Sequence, residues 1–373
     1  MKILYITTIG TTMNFFKSFI KELIDEGNTI DIATNTDIAD VSDFYKELNC
    51  KIYKISCQRT PFSFNNLKAI KEIKKLVENN QYDIVHCHTP VASICTRLAC
   101  KEFRNNGGKL IYTCHGFHFH KKSSKLNWLL FYPAEKFCSK YTDVIITINK
   151  EDYQLAKRLH AKDVKYIPGI GIDVERIENT KIDRNELLNK LSIPNDSFII
   201  ASTGELSKRK NFSVIIKAIA QLKCENIYYL ICGEGKMRSE LISLANNLNI
   251  SKNIIFLGQK SYDEVINICH FADIGAIPSL IEGLGLAGLE YMAAGKPVIG
   301  SNVHGINDYL INGETGISCN PRNTNEFAEA IMLLKNNKDL YEKCSKNAKN
   351  ISKQFDYKLS QKIMNNIYNE VLK

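Results

Sequence analysis

Two glutamates, Glu282 and Glu290, stand with seven residues between them inside the stretch Pro278–Gly300. Between them Gly283, Gly285 and Gly288 allow positive φ and let a ligand approach the backbone closely. The apolar run Ile274–Ile277 ahead of this loop reads as a strand, and Leu286–Ala294 behind it reads as a helix. The free N–H groups and positive dipole end of that helix point back at the loop, which suits a phosphate. A single acid near a helix start commonly does no more than complement the macrodipole. A pair of them around a Gly-x-Gly loop at the end of a strand fits a phosphate-linked ligand that also carries hydroxyls.

Two further loops supply what such a ligand needs. Thr203–Asn211 holds Gly204 at a turn and Arg209 and Lys210 just ahead of a helix. Arginine meets phosphate with a planar fork of donors and lysine with a point charge, while a solvated basic turn is the competing reading. Gly233-Glu234-Gly235 follows the strand Tyr228–Cys232, where a plain turn would look the same, and the strand Ile254–Leu257 ends at Leu257. Met at one sheet edge, these loops offer the cations, helix starts and carboxylates required by a nucleoside diphosphate bearing a polyhydroxyl group. In the first half the corresponding loops are Ile9–Thr12 with Gly10, His86–Pro90, and His115–His120. His86 and His88, two apart, share a face if their strand continues. His115, His118 and His120 invite a metal reading, but four ligands with supporting carboxylates or cysteines at typical spacing are not present, so no metal is expected. His115 is read as a hydrogen-bond donor that positions substrate, and His118 and His120 as packing beneath the next helix.

These loops require strands and helices in alternation, and the chain provides them. Apolar runs at Lys2–Thr7, Thr29–Ala33, Lys51–Ile55, Tyr82–His86, Leu110–Cys114, Asp143–Ile148 and Val164–Ile167 alternate with helical patterns at Asn14–Glu26, Leu67–Asn79, Ala92–Phe103, Leu126–Lys140 and Glu151–Leu159. Continuously apolar strands between helices indicate a parallel sheet covered on both faces. Pro168-Gly169-Ile170-Gly171-Ile172-Asp173 breaks the rhythm, and a polar stretch follows to about Pro194. The alternation then restarts at Phe198–Ser202 and runs to the helix Thr324–Asn336, a Lys/Asn/Ser-rich run, and a final helix near Tyr357–Leu372. The expected class is α/β, with two doubly wound domains whose ligands sit at the carboxyl ends of the strands. No Gly-x-Gly-x-x-Gly follows the first strand and no Walker A sequence occurs, which argues against an NAD site or a P-loop.

Length and composition agree. A chain of 373 residues suits two domains, and its 44% apolar and 24% charged content is ordinary for a globular protein. Twelve cysteines without a Cys-x-x-Cys fit a reducing compartment, and the first residues enter a strand directly, so no signal peptide is expected. A formal charge of +9 favours anionic partners, but the basic residues are dispersed and form no nucleic-acid module. Phe117–Lys140 mixes aromatics and leucines with five lysines; it reads equally as an interfacial helix on an anionic membrane or as an ordinary amphipathic helix. The expected location is the cytoplasm, with a peripheral contact on the inner face of the plasma membrane.

The layout Glu282-x7-Glu290 within Pro-Ser…Glu-Gly-Leu-Gly-Leu…Leu-Glu-Tyr-Met-Ala-Ala-Gly-Lys-Pro resembles the signature of family 4 retaining glycosyltransferases. Gly204…Arg209-Lys210-Asn211, Gly233-Glu234-Gly235 and Asn312-Gly313-Glu314-Thr315-Gly316 agree with it, and His115-Gly116-Phe117-His118-Phe119 is similar to the branch that assembles capsule and exopolysaccharide. The resemblance covers essentially the whole chain. It implies a GT-B fold: an acceptor-binding domain over 1–170, a donor-binding domain over 171–355, a central cleft, and a last helix (about 356–373) crossing back to the first domain. It implies a nucleotide-sugar donor, UDP-linked, with no metal or other cofactor, and a lipid-linked saccharide acceptor. Arg209 and Lys210 would hold the diphosphate and stabilise the leaving group, helped by backbone N–H groups of Leu284, Gly285 and Leu286. Glu282 would hold sugar hydroxyls and Glu290 the ribose; Gly204, Gly233, Glu234 and Leu257 would line the donor site. His115 would meet the sugar near the reacting carbon, and Gly10 would let its loop approach the phosphates. The sequence departs from the pattern at Glu205, where many members carry arginine. A UDP-sugar 2-epimerase of the same fold and a non-catalytic nucleotide-sugar-binding subunit are the rival readings.

Overall fold

The apolar runs become twelve of thirteen strands, all paired in parallel. A computed structural model describes residues 1–373 and divides them into two compact units, Met1–Ile170 with Ser360–Lys373, and Gly171–Leu359. In the first unit the strands are β1 (Lys2–Ile9), β2 (Thr29–Asn35), β3 (Lys51–Lys54), β4 (Ile84–His88), β5 (Lys109–Cys114), β6 (Val144–Thr147) and β7 (Asp163–Tyr166). Their order is β3-β2-β1-β4-β5-β6-β7, so the winding reverses between β1 and β4. In the second unit β8 (Phe198–Thr203), β9 (Ile227–Cys232), β10 (Ile254–Gly258), β11 (Ile274–Ile277), β12 (Val298–Ser301) and β13 (Gly316–Cys319) take the order β10-β9-β8-β11-β12-β13, reversing between β8 and β11. Such reversals leave a crevice at the carboxyl ends of two neighbouring strands, where doubly wound sheets bind ligands. Each sheet is buried under its helices, as its apolar strands require: Ile3, Leu4, Ile84 and Ile145 in one core, and Ile200, Tyr229, Ile274 and Ile299 in the other, are all fully buried.

Several elements differ from the sequence reading. The polar stretch after Asp173 holds two helices, Val174–Asn179 and Arg184–Leu191, capped by the carboxylates of Asp173 and Asp183. The first buries only Val174 and Ile177 and the second only Leu188, too little to register as periodicity. The Lys-rich run 343–353 is the solvent side of a helix, Lys338–Ser352, whose buried residues Cys344, Ala348 and Ser352 fall one turn apart. The segment after β1 is a 3₁₀ helix, Gly10–Phe16, and the α-helix begins only at Lys17. Strand β13 has no counterpart in the sequence reading.

The last helix, Tyr357–Leu372, belongs to the first unit from Ser360 onward. Tyr368, fully buried, fastens it there: its hydroxyl lies 2.5 Å from that of Tyr5 on β1 and 2.6 Å from Nδ1 of His86 on β4. All twelve cysteines are unpaired and eleven are buried.

Candidate functional site

In the second unit the loops that follow β8 and β11 meet at the reversal of strand order. Their backbones are tied directly: Leu280 N–H donates to Arg209 C=O at 2.8 Å, and the Asn211 amide donates to Pro278 C=O at 3.0 Å. These ties bring Glu282 against both cations. Its Oε1 accepts from Lys210 Nζ at 2.6 Å and Ser279 Oγ at 2.7 Å, and its Oε2 accepts from Arg209 Nη1 at 2.9 Å. Only 6% of Glu282 is exposed. Burial by itself would raise its pKa, but Lys210 and then Arg209 outweigh that and hold the carboxyl below the ordinary glutamate value. Two cations thus share one ionised carboxylate, leaving the cluster one positive charge in excess. The sequence reading assigned Glu282 and the two cations to different parts of a ligand; in the fold they form one unit. Ser279, missed from sequence, completes the shell.

Glu290 behaves differently. Loss of hydration pushes its carboxyl up to about 7, and the nearby Lys210 only partly offsets this. It is therefore only partly ionised near neutrality, and the cluster keeps a net positive charge. Glu290 sits one turn into the helix Leu286–Ala293, whose first residue follows Gly285 at φ +84°, a conformation that glycine adopts without strain. Leu284 is buried and Leu286 partly exposed at this helix start. Gly288 serves packing: a Cβ there would lie 2.3 Å from the hydroxyl of Tyr309, which donates to Gly285 C=O at 3.0 Å.

Among the other predicted donor residues, Gly233 is accounted for by close approach, since a Cβ on it would stand 2.0 Å from Gly204 O. A Cβ on Gly204 would stand 3.1 Å from Cε of Lys210. Glu234 lies 3.5 Å from Arg238. Leu257 is partly exposed near the end of β10. Glu205, where arginine was expected, is exposed and pairs with neither Arg209 nor Lys210, so both cations keep their charge for a ligand.

The first unit gathers uncharged groups at its own reversal of strand order. His86 and His88 share one face of β4 with ring centroids 4.2 Å apart. His86 is fixed at both nitrogens, by Tyr368 Oη and by Thr113 Oγ1 at 2.7 Å. His88 is stacked on Tyr5 and packed on Phe16, and its Nδ1 lies 3.2 Å from Nε2 of His115. Its Nε2 is buried without a partner, an arrangement that costs less if this nitrogen is the lone-pair acceptor and Nδ1–H donates to His115. Burial depresses all three imidazoles, His86 to about 3, His115 to about 4 and His88 well below its usual value, so they are neutral. Thr89 follows at φ +66°, costly for a β-branched residue, and its hydroxyl lies 2.7 Å from that of Thr8 at the end of β1. Strained backbone of this kind concentrates at functional sites. Gly10 has a local explanation: a Cβ there would meet the backbone of Asp40 and Val41 at 2.4–2.6 Å. Buried His120 accepts from the Trp128 indole through its carbonyl, as the packing reading expected, whereas His118 is exposed and only lies against the Phe131 ring. Tyr5 and Tyr368 were missed; nothing local in the sequence marks them.

Comparison with known proteins places both units. Residues 183–351 match the family model described as glycosyl transferases group 1, and residues 2–149 match glycosyl transferase 4-like. The chain is 36% identical over 321 residues to a protein of Bacillus subtilis (strain 168) named as the glycosyltransferase EpsD, covering 85% of this chain and 84% of that one. It is 28% identical to the UDP-Gal:alpha-D-GlcNAc-diphosphoundecaprenol alpha-1,3-galactosyltransferase of Escherichia coli (78% and 77% covered). It is 26% identical to the capsular polysaccharide biosynthesis glycosyltransferase CapM of Staphylococcus aureus (100% and 98%). Among solved structures, Anabaena HepE in complex with UDP and glucose superposes with a TM-score of 0.81 at 19% identity, covering 99% of this chain and 100% of that one.

Proposed function

We propose that this chain, which belongs to the group 1 glycosyl transferases and has the GT-B fold, moves a hexose or N-acetylhexosamine from a UDP-sugar to a lipid-linked saccharide in capsule or exopolysaccharide assembly. The observation that carries this reading is Glu282 held ionised between Lys210 and Arg209 beside the start of the helix Leu286–Ala293. The cluster's excess positive charge attracts the diphosphate, and its pre-set cations meet the charge that builds on the β-phosphate as the sugar leaves. The helix start adds backbone N–H donors at Leu284, Gly285 and Leu286. Glu282 then accepts from sugar hydroxyls, and Glu290 from the ribose.

Transfer proceeds with retention. The acceptor hydroxyl oxygen bonds to the anomeric carbon on the face from which the phosphate departs. The carbon–oxygen bond to the phosphate breaks, and the hydroxyl proton passes to the departing phosphate oxygen. No enzymic nucleophile is needed, and the cations Arg209 and Lys210 do the electrostatic work without a metal. His115, neutral and tied to His88, contacts the sugar near the reacting carbon.

UDP as the nucleotide is supported by the names of the Anabaena structure and the Escherichia coli relative, and a diphosphate-linked lipid acceptor by the latter. No helix of the chain is long and apolar enough to cross a membrane. Leu126, Leu129 and Phe137 are nevertheless exposed on the helix Lys125–Ser139, which also carries Lys125 and Lys136 and suits peripheral contact with an anionic cytoplasmic membrane face. The reading is tested by thermal shift across UDP-, GDP- and ADP-sugars, since a ligand bound only by the native state raises its melting temperature. UDP-sugars are expected to stabilise most; stabilisation by none of them would sink the reading. Release of free epimerised sugar without acceptor would favour an epimerase.

A further inference from the structure

The first unit carries an apolar pocket outside the histidine cluster. It encloses about 690 Å³ of space, part of it open to solvent, between the segment around Phe62, the helix Pro90–Ala99 and the helix Lys125–Ser139. Its walls are Phe62, Val91, Ile94, Phe119, Leu130 and Phe131. Phe62 is 80% exposed and Leu130 46%, and their chain neighbours Phe64, Leu126 and Leu129 are exposed as well. A chain that leaves so many large apolar groups in water at one place has a use for them.

The polar groups around the pocket are arranged in a consistent way. Glu135, on its lining, is buried, but it is cancelled by the fully buried Arg97 at 2.7 Å, which also lies over the Tyr112 ring. The interior therefore offers a hydrocarbon no unpaired charge. Exposed cations stand next to the lining residues in the chain: Lys121 and Lys122 follow Phe119, Lys125 precedes Leu130 on its helix, and Arg59 precedes Pro61. Gly116 and Phe117, which line the pocket, directly follow His115 in the chain. Apolar space, neighbouring cations and continuity with the His115 loop together describe a ligand with a hydrocarbon tail, an anionic linker and a polar head.

We infer that this pocket receives the hydrocarbon chain of the acceptor lipid, with the lipid's phosphate among these cations and its saccharide led toward the His115 loop. The inference rests on the functional reading above and adds to it the place where the lipid is held. Leu130 and Phe62 determine how strongly chain length counts, because each contributes apolar surface that a longer chain can cover.

The test uses the full chain in detergent with two acceptors that share one saccharide diphosphate and differ in tail, one of a few carbons and one long isoprenoid. The wild type is expected to prefer the long tail in kcat/KM. Leu130→Glu and Phe62→Ser should each reduce the ratio of long to short by about tenfold, the order of one apolar side chain's burial. Both positions are exposed, so the fold should survive, and an unchanged melting temperature checks this. A photoreactive isoprenyl phosphate should crosslink into the helix Lys125–Ser139 and into Phe62, a readout that needs no turnover. Equal use of both tails by the wild type, or unchanged ratios in both variants with crosslinks elsewhere, would overturn the inference. Ratios that stay fixed while binding to acceptor-free anionic vesicles falls would also overturn it, by assigning the surface to the bilayer. No transfer to either acceptor, despite stabilisation by UDP-sugar, would overturn the functional reading and this inference with it.

Discussion

The two units solve the same problem, buried titratable groups at a reversal of strand order, in opposite ways. The second unit keeps its key carboxylate charged by setting two cations against it. The first unit keeps three imidazoles uncharged by burial and fixes His86 with Tyr368 and Thr113 and His88 against His115. The contrast matches the chemistry proposed for each. A departing diphosphate needs fixed charge, whereas a neutral sugar needs donors and acceptors in defined tautomers that add no charge of their own. Buried ion pairs are poor sources of stability in any case, so the triad of Arg209, Lys210 and Glu282 is better understood as positioning two cations than as holding the fold.

The sharpest way to break the contrast is to remove its strongest charge. Lys210→Ala is expected to lower kcat by about a thousandfold, the scale lost when a preorganised electrostatic contact to the transition state is deleted. It also leaves Glu282 with Arg209 alone, so Glu282→Gln in that background should cost little more. Steady-state kinetics with saturating donor measures both, and full activity in Lys210→Ala would remove the cluster from the mechanism. In the first unit the corresponding change acts through orientation. His88→Phe keeps the stacking on Tyr5 and Phe16 but frees His115 Nε2, and kcat should fall about tenfold with donor KM nearly unchanged. The pH profile should keep its shape, because burial rather than His88 depresses His115. An unaltered kcat would make His88 a packing residue only.

Much of this arrangement could be read from the chain, and the unread part has a common cause. Strands such as Phe198–Thr203 and Ile274–Ile277 are continuously apolar, and loops with Gly204 or Gly285 mark their ends, so sheets and phosphate loops were legible. Helices Val174–Asn179 and Arg184–Leu191 were not, because the first buries only Val174 and Ile177 and the second only Leu188, with polar faces otherwise. The pairing of Lys210 with Glu282 spans 72 residues and that of His86 with Tyr368 spans 282. Local pattern carries no information about such distances; only the strand order does. Gly10 and Gly288 illustrate the converse: a glycine that sequence alone assigns to a ligand can answer to a neighbour's backbone or a tyrosine hydroxyl.

The smallest predicted effect concerns stability, where the two units should respond to acid with opposite sign. Glu290 has a folded pKa raised to about 7 from 4.5. The stability it confers is therefore fully present below pH 4.5 and lost as pH rises through 7, so acidification from about pH 7.5 to 6 should stabilise by about 1 kcal/mol. His86 is depressed from 6.5 to about 3. Its contribution is present above 6.5 and lost as pH falls, so the same acidification should destabilise by roughly 1 kcal/mol. His88 and His115 are depressed in the same sense as His86, so the imidazoles outweigh the one carboxyl in the wild type, and the variants separate the terms. Glu290→Gln should steepen the fall in melting temperature between pH 7.5 and 6 by roughly 2–4 °C, whereas His86→Gln, whatever its absolute stability, should flatten it. Calorimetry across that range decides the matter. A slope unchanged in Glu290→Gln would mean that this carboxyl is ionised throughout, and that a full negative charge stands beside Lys210 before any donor arrives.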